Sequence, residues 1–288
     1  MDKEAPESNL GGSIQGGVFK TRGSVGKERK MIEENTLYHG DCFSLMKDIP
    51  DKSIDLILSD PPFNCLSKSN KEAQWDKEID LQVLWKQYER IIKDNGAILL
   101  FAFGIFDAKL ILGNPKLWKT TLVWDKVRKT GFLNAKKMPM RQHENIEVFY
   151  KKQPVYNPQM VKCEPHQRNH SRGNGSHKET NRNYGKFGKA EEIITDEKYP
   201  GSILTFSKGH SKEDWIHPTA KPVPLLRYLI CTYSNEGDLI LDSFAGSGST
   251  CIAAIREKRN FIGIELDDHF FEVANERIKN ESREPKLF

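Results

Sequence analysis

The sequence predicts an α/β protein built on a doubly wound, mostly parallel sheet of Rossmann-like type. Short apolar runs of strand length alternate with helical stretches along the chain, each bounded by turn residues. Two of these runs, 54–58 and 239–241, lead directly into distinctive turns: Asp60-Pro61-Pro62-Phe63 and Ser243-Phe244-Ala245-Gly246-Ser247-Gly248. Both turns fall at strand carboxyl ends, where open α/β sheets place their ligands.

Residues 1–34 are rich in Gly, Ser, Lys and Glu without sustained periodicity, which predicts a disordered leader. Order is expected to begin with a short strand at 36–38 running into His39-Gly40-Asp41, followed by one or two helical turns over 43–49. Ile54-Asp55-Leu56-Ile57-Leu58 suits a buried parallel strand. Helical spacing of Leu81, Leu84, Trp85, Tyr88, Ile91 and Ile92 predicts a helix that Asn95-Gly96 should end, with the next buried strand at 97–103. A helix at 107–112 and a strand at 118–124 follow. Residues 145–150 alternate with a period of two, as an antiparallel edge or hairpin strand does. From 151 to 199 the pattern gives way to Asn, Gly, Ser, His and Lys, read as a long irregular insertion. Regularity returns with a helix at 222–233, a strand at 239–241, a helix at 249–257, a strand at 261–264 and a helix at 270–279. The expected organisation is therefore a 35–150 half and a 200–280 half of one domain, separated by the insertion, with a tail at 281–288.

Bulk properties narrow the class. A hydrophobic fraction of 37% is enough for a true core. No apolar run approaches the roughly 18 residues of a membrane helix, and the N-terminus lacks the apolar stretch of a signal peptide, so a cytoplasmic protein is expected. The five cysteines are scattered and never spaced Cys-x-x-Cys, suggesting neither a disulfide framework nor a zinc cluster. Cys163 lies near His166 and His170, but with no second cysteine close by no metal centre is expected. A net charge of +4 is too mild to imply nucleic acid. Its distribution says more: 151–190 holds nine Lys/Arg against two acids. That stretch is either a solvated loop or a surface that tracks phosphates.

In the turn after 239–241, Gly246 and Gly248 let the backbone approach a ligand with no Cβ in the way, and Ser249 or Thr250 is placed to cap the following helix. No Gly-Lys-Ser/Thr follows, so this is not a P-loop, and Cys251 replaces the third glycine of the dinucleotide fingerprint. One strand later Glu265 ends an apolar run, where a carboxylate can accept both hydroxyls of a ribose. Nucleoside binding is the expectation.

Asp60-Pro61-Pro62-Phe63 alone is a stiff turn. In company with Phe244-x-Gly246-x-Gly248, Glu265 and His217-Pro218-Thr219-Ala220-Lys221-Pro222, it closely resembles the S-adenosylmethionine-dependent amino-methyltransferases of DNA, whose signature is Asp/Ser-Pro-Pro-aromatic. The resemblance spans roughly 36–280 apart from most of 151–199. Asp60 precedes Gly246 by about 180 positions, the permuted order of the family's β class. The resemblance implies that Asp60 and the Pro61 carbonyl accept hydrogen bonds from the target amine, that Pro62 stiffens the loop, and that Phe63 stacks on a flipped base. It implies a cofactor site of Asp41, Asp60, Thr219, Lys221, Asp242, Phe244, Gly246, Gly248, Ser249 and Glu265, with Asp41 near the adenine and Thr219 and Lys221 at the methionine carboxylate. Many relatives have glutamine at Ala220, so a contact from that side chain is lost.

The segment Arg141-Gln142-His143-Glu144 resembles the one that closes the catalytic half. The basic 151–199 stretch falls where the class places target recognition, which gives Asn64, Arg141, Lys162, Arg168, Arg172 and Arg182 as candidate contacts to double-stranded DNA. The sulfonium is itself the electrophile, so no metal is required. Aspartate in first position resembles the adenine-N6 members, serine the cytosine-N4 members. A homodimer and a companion restriction endonuclease are left open, and an RNA or protein-amide methyltransferase or an inactive DNA-binding remnant stand as rivals.

Overall fold

The computed structural model describes residues 32–63, 78–168, 180–181, 185–186, 193–208 and 220–283. Its strands are β1 (Thr36–His39), β2 (Ile54–Ser59), β3 (Ile92–Ala102), β4 (Trp118–Thr130), β5 (Arg141–Phe149), β6 (Val161–Arg168), β7 (Thr180–Asn181), β8 (Gly185–Lys186), β9 (Ile193–Lys198), β10 (Ile203–Thr205), β11 (Leu239–Asp242) and β12 (Asn260–Glu265). The helices are α1 (Cys42–Leu45), α2 (Leu81–Ile91), α3 (Ile105–Gly113), α4 (Val223–Tyr233), α5 (Ser249–Arg256) and α6 (Asp268–Arg283).

Eight strands form one sheet in the order β1-β12-β11-β2-β3-β5-β4-β10. Strands from β1 to β3 are parallel, β5 runs antiparallel to both β3 and β4, and β10 adds a parallel edge to β4. Strands from before and after the insertion thus share one sheet, with β2 and β11 side by side at Leu56↔Ile240 and Ile57↔Leu241. That adjacency brings Asp60 and the glycine-rich turn together despite their distance in sequence.

The strands are apolar along their length because both faces are covered. Ile57, Ile98, Leu100 and Leu241 pack beneath α2 and α3, meeting Leu84, Trp85, Tyr88 and Phe106. Leu56, Leu58, Leu99, Phe101 and Ile240 face the other way, onto Leu225, Leu226, Leu229 and Ile252 of α4 and α5. Helix α2 begins at Asp80, whose side chain accepts from Gln82 N at 2.9 Å and Val83 N at 3.1 Å, satisfying two otherwise unpaired amides.

Two sequence expectations are corrected. Asn95-Gly96 does not end α2: the helix stops at Ile91, and the pair lies in a register shift of β3 between Ile54↔Ile92 and Leu56↔Ala97. Close backbone approach explains the glycine, since a Cβ there would stand 2.7 Å from the Asp55 carbonyl oxygen. The 151–199 insertion is not wholly irregular, because β6 pairs with β9 and β7 with β8, both antiparallel. The ladder was not legible because Val161, Lys162 and Glu164 are all exposed, so neither face produces an apolar alternation.

Candidate active site

Strand β2 ends at Ser59, and Asp60 leaves the sheet with its backbone restricted by Pro61. The Asp60 side chain keeps 25% of its area accessible. Its Oδ2 accepts a hydrogen bond from Lys221 Nζ, whereas Oδ1 is buried without a hydrogen-bond partner among the described residues. Lys221 Nζ also lies 3.4 Å from Glu144 Oε2, and Lys126 Nζ lies 2.8 Å from Glu144 Oε1. A row of alternating charge therefore runs from β4 through β5 to the end of β2: Lys126, Glu144, Lys221, Asp60.

Burial pushes the Asp60 carboxyl up to about 6, with Glu144 adding to the rise and Lys221 opposing it. Burial would raise Glu144 too, but Lys221 and Lys126 outweigh it and hold that carboxyl down at about 2. Lys221 is held above the usual lysine value because Asp60 and Glu144 together overcome its desolvation. Phe63 is half-buried against Phe106, with ring centroids 5.2 Å apart.

Strand β11 delivers Asp242 alongside. Asp242 Oδ1 accepts from Ser59 Oγ at 2.9 Å and from Phe244 N at 3.1 Å. Ser243 N donates to Ser59 Oγ at 2.9 Å, and the Tyr88 hydroxyl, reaching up from α2, meets Ser243 Oγ at 2.5 Å. Ser59, Tyr88, Asp242 and Ser243 are buried, so the hydrogen bonds among them are made in a low-dielectric setting where each is strengthened. Burial raises the Asp242 carboxyl to about 6 against the pull of the Thr250 hydroxyl, Phe244 N and Ser59.

The glycine-rich turn is braced from the next strand. Glu265 Oε2 accepts from Gly246 N at 2.6 Å and Oε1 from Asp267 N at 2.8 Å. The expected serine or threonine cap on α5 is absent. Gly248 is the N-cap, in the left-handed conformation at φ 78 with no side-chain cap bond, so Ser249 is already inside the helix. Asp41 caps α1, its Oδ1 accepting from Ser44 N at 2.9 Å and Ser44 Oγ at 2.8 Å.

These elements enclose a cavity of about 520 Å³, within the range of small-molecule sites. Asp60, Pro61, Pro62 and Phe63 wall one part of it. Asp242, Phe244, Gly246 and Ser249 also line it, as do Asp41, Glu265 and Phe270. Lys221 and Arg141 contribute as well, the Arg141 guanidinium lying 4.3 Å from the centre of the Phe103 ring. Gly248 does not line the cavity; it packs behind, toward Ala274. Lys162 is exposed on β6 and does not line the cavity, and Arg168 is the last residue of that strand. Asn64, Thr219, Arg172 and Arg182 lie outside the described residues. Carboxylates at Asp41, Asp60, Asp242, Glu265 and Asp267 beside the aromatic faces of Phe63, Phe244 and Phe270 suit a cationic nucleoside bearing hydroxyl groups.

Sequence reasoning assigned no role to Ser59 or Ser243, which it met only as members of the two turn segments, nor to Lys126 or the hydroxyl of Tyr88. Tyr88 falls on the apolar stripe of α2 and reads as core, which its ring is; only the pairing of β2 with β11 reveals what its hydroxyl meets.

A doubly wound sheet with a cavity across the ends of β2 and β11 is the architecture of an α/β enzyme that binds its ligands at the strand ends. Residues 54–276 match the N6/N4 family described as DNA methylase. The chain belongs to that family, and the order of its catalytic and cofactor strands is that of the β class. It is 27% identical over 276 residues to the type II methyltransferase M.BglII of Bacillus subtilis, covering 88% of this chain and 71% of that protein. It is 28% identical over 256 residues to the DNA adenine methyltransferase YhdJ of Escherichia coli (strain K12), covering 85% and 83%. Among solved structures, M1.HpyAVI in its SAM complex superposes with a TM-score of 0.56 at 22% identity, covering 84% of this chain and 98% of that one. The cytosine-N4-specific PvuII DNA methyltransferase superposes with a TM-score of 0.60 at 17% identity, covering 87% and 92%. At these identities the structures share the fold.

Proposed function

We propose that this DNA methyltransferase transfers the methyl group of S-adenosylmethionine to the N6 amino group of adenine in duplex DNA. The observation that carries the reading is the divided carboxylate of Asp60, a residue of the cavity wall: Lys221 holds Oδ2, and Oδ1 is buried without a hydrogen-bond partner among the described residues. An unpaired buried acceptor is costly to maintain, and an amine presented in the cavity would satisfy it.

A ring-conjugated amine is a weak nucleophile because its lone pair is delocalised. Asp60 Oδ1 and the Pro61 carbonyl accept hydrogen bonds from its two protons, turn the lone pair out of the ring plane and stabilise the charge that develops on nitrogen. The cofactor, when bound, supplies an electrophilic methyl on a sulfonium. Phe63 stacks on the base, which must leave the helix to be reached, and such stacking offsets about 1–3 kcal/mol of the lost base stacking. Pro62 keeps the loop stiff.

On the cofactor side, Glu265 accepts from the ribose hydroxyls with the lone pairs that Gly246 and Asp267 leave available. Phe244 and Asp242 line the adenosine and methionine pocket, with Gly246 and Ser249 beside them and Asp41 near the adenine. An ammonium has three donors. One of those on Lys221 goes to Asp60 and the ammonium charge faces Glu144 at 3.4 Å, which leaves a donor for the methionine carboxylate together with Thr219. Arg141 at the cavity and the basic insertion, with Lys162, Arg168, Arg172 and Arg182, contact DNA. Among the described residues no helix is long and apolar enough to cross a membrane.

Nucleoside mass spectrometry after incubation with labelled S-adenosylmethionine and unmethylated plasmid DNA tests the reading. N6-methyladenine is expected. N4-methylcytosine alone would overturn the choice of base, and label in RNA or protein instead would overturn the substrate class.

A further inference from the structure

The β4–β5 hairpin carries a surface that the methyl-transfer site does not use. The ladder breaks between Asp125↔His143 and Thr130↔Arg141, so residues 126–129 oppose a single residue, Gln142. Val127 lies in this bulge at φ 64, a conformation that a β-branched residue rarely adopts, with its N–H donating to Asp125 Oδ1 at 2.9 Å. Beyond the bulge the tip is folded on itself rather than loose. Gly131 turns the chain at φ 86 into a 3-10 turn over Phe132–Asn134. Ala135 N then donates to Phe132 O at 3.0 Å, and Lys137 N to Asn134 O at 2.8 Å.

This ordered knuckle presents what a folded chain normally hides. Every residue from 127 to 139 is exposed, among them Phe132 at 72%, Leu133 at 82% and Met138 at 60%. Arg128, Lys129, Lys136, Lys137 and Arg141 flank them along the chain, with no acid anywhere from 126 to 141. At the hairpin's root, Arg141 and Glu144 line the cavity that contains Asp60, so the cationic surface is continuous with the methyl-transfer site. Apolar wedges flanked by phosphate-binding cations are how proteins pry base steps apart. The cations supply the sequence-independent attraction.

We propose that the β4–β5 hairpin docks on the duplex beside the flipped base, with Lys129, Lys136 and Lys137 on backbone phosphates and Phe132 and Leu133 wedged against the exposed base step. This rests on the methyl-transfer reading for the flipped base, though its binding arm can be tested without it. The wedge stabilises the opened duplex, while the phosphate contacts fix where along the helix the cavity sits.

Fluorescence anisotropy of a labelled duplex, read across a salt series with S-adenosylhomocysteine present, tests the docking. The duplex carries the site found by sequencing DNA from an expressing host, or plasmid sequence if none is found. K136E/K137E should lose at least about tenfold in affinity, with a log–log salt slope shallower by about two, reflecting two lost phosphate contacts. F132A/L133A should bind more weakly with an unchanged slope, and a mismatch opposite the target base should restore its affinity, because that base is already easier to extrude. Melting temperature and S-adenosylhomocysteine affinity, measured on each variant, report whether the fold is intact. Duplex binding and salt slopes equal to wild type in both variants would overturn the proposal, as would loss of binding to phosphatidylglycerol vesicles with duplex binding unchanged. If wild type methylates no DNA yet both variants lose duplex affinity, the methyl-transfer reading fails and the docking surface stands. If methylation proceeds and the variants match wild type, only the docking surface fails.

Discussion

Lys221 Nζ hydrogen-bonds one oxygen of Asp60 and leaves the other buried, with no partner among the described residues. The two residues are 161 positions apart in sequence, and the contact forms because β2 and the chain entering α4 converge at the same end of the sheet. Glu144 holds the lysine from its other side at 3.4 Å, and Lys126 in turn neutralises Glu144. A lone ammonium in such a site would lose its proton or leave for solvent. Two carboxylates keep it charged, and it keeps Asp60 oriented.

A pH profile reads this arrangement directly. Asp60 must be ionised to accept from an amine, and burial raises its carboxyl to about 6, so kcat/KM should fall on an acid limb near that value. Lys221 opposes the rise, so Lys221→Met should move the limb upward by about one unit or more. Lys221→Arg, which keeps the charge, should move it less. Glu144→Gln removes a group that raises Asp60, so its limb should move down. A limb at the same pH in all three would sink the assignment.

Stability has opposite pH dependence at the two carboxylates. From the ordinary 3.8 up to about 6, native Asp60 holds a proton that the unfolded chain has released. Its contribution to stability is therefore present at low pH and is lost as pH rises through that window. Glu144 is depressed from 4.5 to about 2, so its contribution is full above 4.5 and is lost as pH falls toward 2. Urea denaturation of wild type and Glu144→Gln from acid to neutral pH should show the variant lacking this acid-side loss. Identical pH dependence in the two proteins would count against a charged, paired Glu144.

Much of this architecture was legible from sequence. The runs at 54–58 and 239–241 are short and apolar because both faces are buried, and that left the turns after them conspicuous. The order of Asp60, Gly246 and Glu265 was equally readable. Side-chain partnerships were not. Ser59 and Tyr88 look like a strand end and a core aromatic, and their polar atoms acquire meaning only once β2 pairs with β11. Lys221 was expected at a cofactor carboxylate, and nothing local to it reveals Asp60 and Glu144. The β6–β9 ladder escaped notice because its exposed faces carry no period. The cap of α5 was misjudged for a different reason: serine and threonine are good caps in general, but this helix starts from a left-handed turn, which glycine adopts without a Cβ penalty.

The junction between the two halves hangs on Ser59. Its hydroxyl donates to Asp242 Oδ1 and accepts from Ser243 N, both at 2.9 Å and both buried. Ser59→Ala leaves the Ser243 N–H without that acceptor and strips one donor from Asp242, which should cost about 1–3 kcal/mol in urea denaturation. Because Asp242 and Ser243 also line the cavity, S-adenosylhomocysteine affinity measured by calorimetry should fall with it. Tyr88→Phe removes only the outer hydroxyl at Ser243 and should have the smaller effect on both. Affinity unchanged in Ser59→Ala would show that the junction supports the fold without shaping the site.

The turn itself can be tested by separating backbone strain from crowding. Gly248 and Gly237 both have left-handed backbones, at φ 78 and φ 84. An added Cβ on Gly237 meets open space, whereas on Gly248 it would stand 3.0 Å from Ala274 Cβ of α6. Alanine at either position carries the conformational penalty of about 1–2 kcal/mol. Only Gly248→Ala adds the overpacking term, about 1–3 kcal/mol where the neighbours are fixed. Gly248→Ala should therefore melt below Gly237→Ala, and the push on α5 should also weaken S-adenosylhomocysteine binding through Ser249 and Gly246. Equal losses of stability in the two variants would mean that α6 yields to the extra methyl. The close packing of Gly248 against Ala274 would then not be what holds the cofactor turn in place.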